Sequence, residues 1–146
     1  MILKLQSHDI EPLCDRAGEF HRVLGMPGQF STASFCSQWR KLMEAQIGHV
    51  WAQTLDGHLA QSIGLVVHDD IFTGEATAAV LFWYRDLERP GNMGVKLFLE
   101  MLAWCKENNV KWLIYSARLG YQFKKVQEFL LCVGFVPAEV GFVMKL

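Results

Sequence analysis

Val80-Leu81-Phe82-Trp83-Tyr84-Arg85, then Arg89-Pro90-Gly91-Asn92-Met93-Gly94, is the stretch on which the fold turns. The apolar run from Ala76 to Asp86 is nearly unbroken. Such a run predicts a strand covered on both faces, at the centre of a sheet. Arg89 to Gly94 reads as a turn, with Pro and two Gly as punctuation. Val95 to about Glu107 then reads as a helix, closed by Asn108-Asn109. The unit is a central strand feeding a tight turn and a helix.

Outward from that unit, His49 to Leu55 and His58 to His68 read as strands, and Asp56-Gly57 between them is a strong hairpin signal. Asp69-Asp70 through Thr73-Gly74 connects the second of these to the central strand. Toward the start, Met1 to Gln6 predicts a first strand and Ile10 to Leu24 a helix. Gly25-Met26-Pro27-Gly28 breaks the chain. A second helix follows, capped from Ser31, Thr32 or Ser34 and ended by Gly48. Beyond the central unit come a strand over Val110 to Ala117 and a helix over Gln122 to Val133, stopped at Gly134. Phe135 to Leu146 is expected to add one or two strands, broken by Pro137. The order β-α-α-β-β-β-α-β-α-β makes the class α+β, with a mixed, mostly antiparallel central sheet flanked by about four helices.

Composition narrows the function classes. The chain has 146 residues, 51% hydrophobic and 20% charged, with five Trp and ten Phe. That suits one domain, residues 1-146, around one core. Lys plus Arg number 14 and Asp plus Glu 15, for a net charge of -1. An extended nucleic-acid surface needs a basic excess that is absent. No run of ~18 apolar residues and no leader pattern occur, so no membrane partner is expected. Cys14, Cys36, Cys105 and Cys132 form no CxxC pair. They read as free thiols buried as small hydrophobes, with no metal site, in a cytoplasmic protein.

This order of elements resembles the GNAT superfamily of N-acyltransferases, in particular its short members from bacteria and phages. Three features carry the resemblance. The central strand feeds a turn in which Arg89 and Gly94 match the first and last positions of the family's Arg/Gln-x-x-Gly-x-Gly/Ala pattern. Asn92 stands at the middle Gly position, with Gly91 one residue early. Trp112-Leu113-Ile114-Tyr115-Ser116 matches the strand after the helix. Glu128 to Phe135 matches the late helix that ends in Gly-Phe. The likeness is good from about Val50 onward and topological before it.

The resemblance implies acetyl-CoA as acyl donor, with no metal, and direct attack by an amine in a ternary complex. It implies that Arg89, Pro90, Gly91, Asn92, Met93, Gly94 and Val95 grip the pyrophosphate. Physics supports this independently, because a helix start leaves backbone N–H groups unpaired and favours an anion. The edge of Trp83, Tyr84 and Arg85 would pair with the donor's amides, and Lys124 would reach a phosphate. Many family members place a proton-donating tyrosine on the fourth helix, where this chain has Leu130. Tyr121 and Tyr115 are the substitutes, and Glu75 is the candidate base ahead of His68, Asp69 and Asp70. The acceptor is expected to be a small-molecule or protein amine. Val140 to Met144 reads equally as a homodimer strand or as a strand within the monomer. The alternative to an enzyme is a catalytically degenerate GNAT fold that binds CoA or a protein partner.

Overall fold

A computed structural model describes residues 1–85, 93–119 and 122–146. Backbone contacts group the chain into two units, Met1–Ser116 and Ala117–Leu146.

The first unit is a five-stranded sheet in the order β1-β2-β3-β4-β5. Its strands are β1 (Ile2–Lys4), β2 (Gly48–Leu55), β3 (His58–Asp69), β4 (Ala76–Arg85) and β5 (Trp112–Tyr115). The first four pair antiparallel and β5 joins β4 in parallel. Asp56 (φ 51°) and Gly57 (φ 77°) make the two-residue hairpin turn between β2 and β3. Two positive φ values in succession match the strands' twist, as the Asp-Gly pair predicts.

Helices α1 (Glu11–Val23) and α2 (Thr32–Glu44) cover one face. Ser31 caps α2, its Oγ accepting from Ser34 N–H at 3.2 Å. The sequence reading ended α2 at Gly48, and the structure corrects this. Helix α2 stops at Glu44, with Gln46 in the left-handed region (φ 58°) and Ile47 N–H donating to Leu42 O at 3.0 Å. Gly48 instead opens β2, where a Cβ would lie 2.6 Å from that of Leu42. Its small size serves packing.

The face under α1 and α2 is a continuous apolar cluster of Ile10, Leu13, Phe20, Trp39, Val50, Ala52, Phe82 and Tyr84. Cys14 and Cys36 lie within this layer as a disulfide joining α1 to α2. This overturns the expectation of four free thiols. The packing of α1 against α2 sets the two residues opposite each other, with Cα atoms 5.7 Å apart, within bonding reach. Cys105 and Cys132 are free, the first buried and the second exposed.

Helix α3 (Met93–Glu107) covers the other face. Its Leu97, Phe98 and Met101 are fully buried. It ends as predicted at Asn108-Asn109, with Asn109 at φ 58° and Val110 N–H donating to Cys105 O at 3.0 Å. Near its last turns Trp104 packs at a tilt against His49, ring centroids 4.2 Å apart, and meets Trp51 at 5.4 Å. The Lys4 ammonium sits over Trp104 at 4.1 Å, which ties the short edge strand to the helix.

The second unit holds α4 (Phe123–Cys132) and the tail. Gly134 (φ 103°) closes α4 while Phe135 N–H donates to Leu130 O at 2.9 Å, the Schellman arrangement. The terminal strands expected over Phe135 to Leu146 are not formed. Pro137 brings no N–H to a ladder, and Val140, Phe142 and Met144 are exposed. Among the described residues, no helix is long and apolar enough to cross a membrane.

Burial, then the Lys4 charge, holds the His49 imidazole down to about 4, against an ordinary 6.5. The unfolded chain therefore takes up a proton that the folded chain refuses. Stability is full above about pH 6.5 and falls as pH drops toward about 4. Urea unfolding across pH 4–7 is expected to show this loss, and His49→Phe, which keeps a ring against Trp104, to flatten it.

Candidate active site

The site is built where β4 and β5 part. Their parallel ladder runs Thr77↔Trp112, Ala78↔Leu113, Ala79↔Ile114 and Val80↔Tyr115, and stops there. Strand β4 continues to Arg85, where its ladder is with β3. Beyond Val80, its second edge therefore presents backbone groups that β5 does not use.

At this point β4 also carries a bulge. Gly64 faces Phe82 and Leu65 faces Val80, so Leu81 is an extra residue. The side chain of Leu81 is 51% exposed. Gly64 makes the bulge fit: a Cβ there would collide with the Phe82 ring and lie 2.9 Å from Trp39 Cη2. The residue missing a side chain leaves the space that the ring occupies.

Beyond the end of the β5 ladder, Trp83 turns toward α3 and packs on Phe98 at 5.1 Å. Tyr84 points the opposite way, 4% exposed, and meets Phe20 edge-on at 5.8 Å. The side chains of both are thus structural, and backbone alone from these two lies along the edge. Arg85 is exposed at the end of β4, opposite Gln61. Helix α3 begins beside it. Met93, Gly94 and Val95 are its first described residues. A Cβ on Gly94 would sit 3.3 Å from both Trp83 Cζ2 and Gln61 Oε1. Gly94 thus lets the helix start settle against β3 and β4. Gln61 is 2% exposed and its Nε2 donates to Gln53 Oε1 at 2.5 Å. Among the described residues its Oε1 has no hydrogen-bond partner.

Tyr115 ends β5 at the point of parting. Its ring is half-buried against Trp83 (6.2 Å) and Phe98 (6.4 Å). Burial pushes its hydroxyl up to about 12. It is therefore a protonated donor across the neutral range.

The remaining sequence candidates lie elsewhere. Glu75 sits just before β4, exposed, its carboxylate accepting from Trp112 Nε1 at 2.6 Å. Six residues of strand separate it from Leu81, about 20 Å at ~3.3 Å per residue. The structure does not bring it to the parting point. Asp70 organises the β3–β4 loop: its Oδ1 accepts from Thr73 and Phe72 N–H, and these bonds hold its carboxyl below the ordinary value. Asp69 and His68 lie at that same end, in the last residues of β3. Lys124 is exposed on α4, in the second unit. Arg89, Pro90, Gly91, Asn92 and Tyr121 lie outside the described residues. Among the described residues, no group of three or more His, Cys, Asp or Glu is placed to hold a metal ion.

Sequence reasoning missed the bulge at Leu81 and the part played by Gln61. A glycine inside a strand pattern, Gly64, was the available signal for the bulge. Gln61 gave none, since a polar residue in an alternating strand ordinarily faces water.

No family model and no curated protein sequence matches the chain. Solved structures do. A "predicted acetyltransferase with acetyl-CoA" from Clostridium acetobutylicum aligns with TM-score 0.80 at 13% identity, over 99% of this chain and 95% of that one. The ribosomal-protein-alanine N-acetyltransferase of Brucella melitensis biovar Abortus 2308 aligns with TM-score 0.75 at 12% identity, over 100% and 99%. An aminoglycoside acetyltransferase from an uncultured soil metagenomic sample, solved with sisomicin, aligns with TM-score 0.77 at 14% identity, over 100% and 95%. The fold is that of the GNAT acetyltransferases: a mixed α+β chain with a mostly antiparallel five-stranded sheet and four helices.

Gly64→Ala tests the bulge. It is expected to cost about 1–3 kcal/mol, the usual penalty of overpacking, read as a lower urea midpoint. The near-ultraviolet aromatic signal should change with it, because Phe82 and Trp39 must shift.

Proposed function

We propose that residues 1-146 act as one N-acyltransferase domain that moves an acetyl group from acetyl-CoA to an amine. The observation that carries this reading is the parting of β4 from β5 at Val80 and Tyr115, beside the first turn of α3. A strand edge that outruns its neighbour suits the amides of an extended pantetheine arm, which would add to the sheet as a short strand. A helix start suits the pyrophosphate. The two lie at the same end of β4, as one extended ligand requires. Arg89 to Asn92, Tyr121 and Lys124 enter the proposal on sequence grounds alone.

The chemistry follows from what the reaction must handle. A neutral amine attacks the thioester carbonyl, negative charge grows on the carbonyl oxygen, the C–N bond forms and the C–S bond breaks. The bulge at Leu81 leaves backbone polar groups that β3 does not pair, and a backbone N–H there would stabilise the developing oxyanion. The departing thiolate needs a donor. A thiol has an ordinary pKa of about 8.5, while Tyr115 stands at about 12. Complete proton transfer from Tyr115 to the thiolate is therefore uphill by roughly three to four pKa units. In this reading Tyr115 stabilises the thiolate by a hydrogen bond, and solvent supplies its proton. Glu75 has no part at this distance. The amine's proton is then lost before attack, so only the small neutral fraction of an alkylamine reacts near pH 7.

A second reading has one specific observation in its favour. Leu130, at the family's tyrosine position, is a buried aliphatic side chain of α4. A chain without a proton donor there would bind the donor molecule without turning it over.

Calorimetric titration with acetyl-CoA, then thiol-release assays over a panel of amines, separates the readings. Binding with release of CoA supports the enzyme. Binding with no release on any amine favours the degenerate module, and no binding at millimolar acetyl-CoA overturns both. For the enzyme, Tyr115→Phe is expected to lower kcat about 10- to 100-fold with little change in acetyl-CoA affinity. The rate should rise about tenfold per pH unit below the pKa of the amine, without a plateau from an enzyme base.

A further inference from the structure

The helices packed on Phe82 and Tyr84 of β4 are joined covalently. Cys14 of α1 and Cys36 of α2 are 22 positions apart and form a disulfide. From α1, Phe20 meets Phe82 edge-on at 5.7 Å and Tyr84 at 5.8 Å. From α2, Trp39 meets Phe82 at 5.1 Å. Phe82 and Tyr84 belong to the part of β4 that β5 leaves uncovered. The disulfide thus sets the spacing of two helices whose aromatic rings form the floor of that edge. The exposed ion pair of Arg40 with Glu11 also bridges α1 and α2, but such pairs contribute little. Cys14 is buried at 2% exposure, while Cys36 is half-buried, so a thiolate reaches the bond at Cys36.

We propose that Cys14–Cys36 is a reversible thiol–disulfide clasp that controls the acyl-donor edge of β4. The functional half of this rests on the acyltransferase reading above. An external thiolate attacks Cys36 Sγ, the S–S bond breaks, and Cys14 leaves as a thiolate that takes a proton. A second external thiolate attacks the mixed disulfide. It releases the Cys36 thiol, and the two external thiols leave joined as their own disulfide. Two electrons pass from the external thiols to the clasp. Reduction lifts the restraint on the 22-position loop and lets α1 and α2 repack independently. Phe82 and Tyr84 lose a fixed floor, and the edge they share with the donor becomes less well ordered.

The test uses the full chain, purified without reductant. Alkylation after unfolding is expected to label Cys105 and Cys132 and to leave Cys14 and Cys36 blocked until dithiothreitol is added. Reduction should lower the thermal midpoint by about 6–12 °C, as a loop of this length implies, and weaken acetyl-CoA binding several-fold. Reoxidation should restore both. Cys14→Ala/Cys36→Ala should match the reduced protein and ignore dithiothreitol. If it does not fold, Cys36→Ser alone, with the reduced wild type beside it, makes the same comparison. Four alkylatable thiols before reduction would overturn the proposal, and so would a bond whose loss changes neither midpoint nor affinity. If neither form binds acetyl-CoA, the acyltransferase reading fails and control of a donor edge fails with it. A midpoint that still moves then leaves the bond as a structural tie alone.

Discussion

One steric fit decides the form of the site: the ring of Phe82 occupies the space that a side chain at residue 64 would need. Because that ring stands there, β4 accommodates Leu81 as an extra residue against β3. Just beyond Val80, β5 ends its pairing and β4 runs on to Arg85. The shape and polarity of the region thus follow from a packing constraint inside the sheet, one layer below the surface where chemistry would occur.

Much of the fold was legible in sequence because its signals are local. The Asp56-Gly57 pair could hardly be anything but a hairpin turn, and Asn108-Asn109 marks the end of α3 through a left-handed residue that Asn tolerates. Helix α2 was read too long because Gln46, unusual at such a cap, supplies the left-handed turn that glycine was expected to provide. The tail was read as strand from composition alone. Strand formation depends on a partner edge, and no local pattern states whether one is met.

The site was legible only in part, for the same reason. The edge of β4 and the start of α3 follow from strand–turn–helix order. The distance between Glu75 and the parting point is a matter of strand length: Glu75 precedes β4, and the parting point at Val80 lies midway along that ten-residue strand. Tyr115 was marked by its place in a short strand, but the character of its hydroxyl depends on Trp83 and Phe98, which come from other elements. The pairing of Cys14 with Cys36 needed the α1–α2 packing angle, which periodicity does not contain. Each residue was recognised as inward-facing without any indication that they faced each other.

The bulge has a consequence for the reading frame of the strand itself. Val80 belongs to the α3 face with its neighbour Leu65, whereas Phe82, two residues on, belongs to the α1–α2 face with Gly64. In an unbroken strand those two side chains would share a side. Leu81 therefore acts as a phase shift. It inverts inside and outside for every residue that follows, so the apolar pattern of Ala76 to Val80 and that of Phe82 to Arg85 are written in opposite parity. The two halves of β4 fit the same pair of layers only because one residue between them is not counted by its neighbour strand. Were Leu81 instead counted as an ordinary position opposite Gly64, Phe82 and Tyr84 would turn toward α3 and Trp83 toward α1, exchanging the two floors of the sheet.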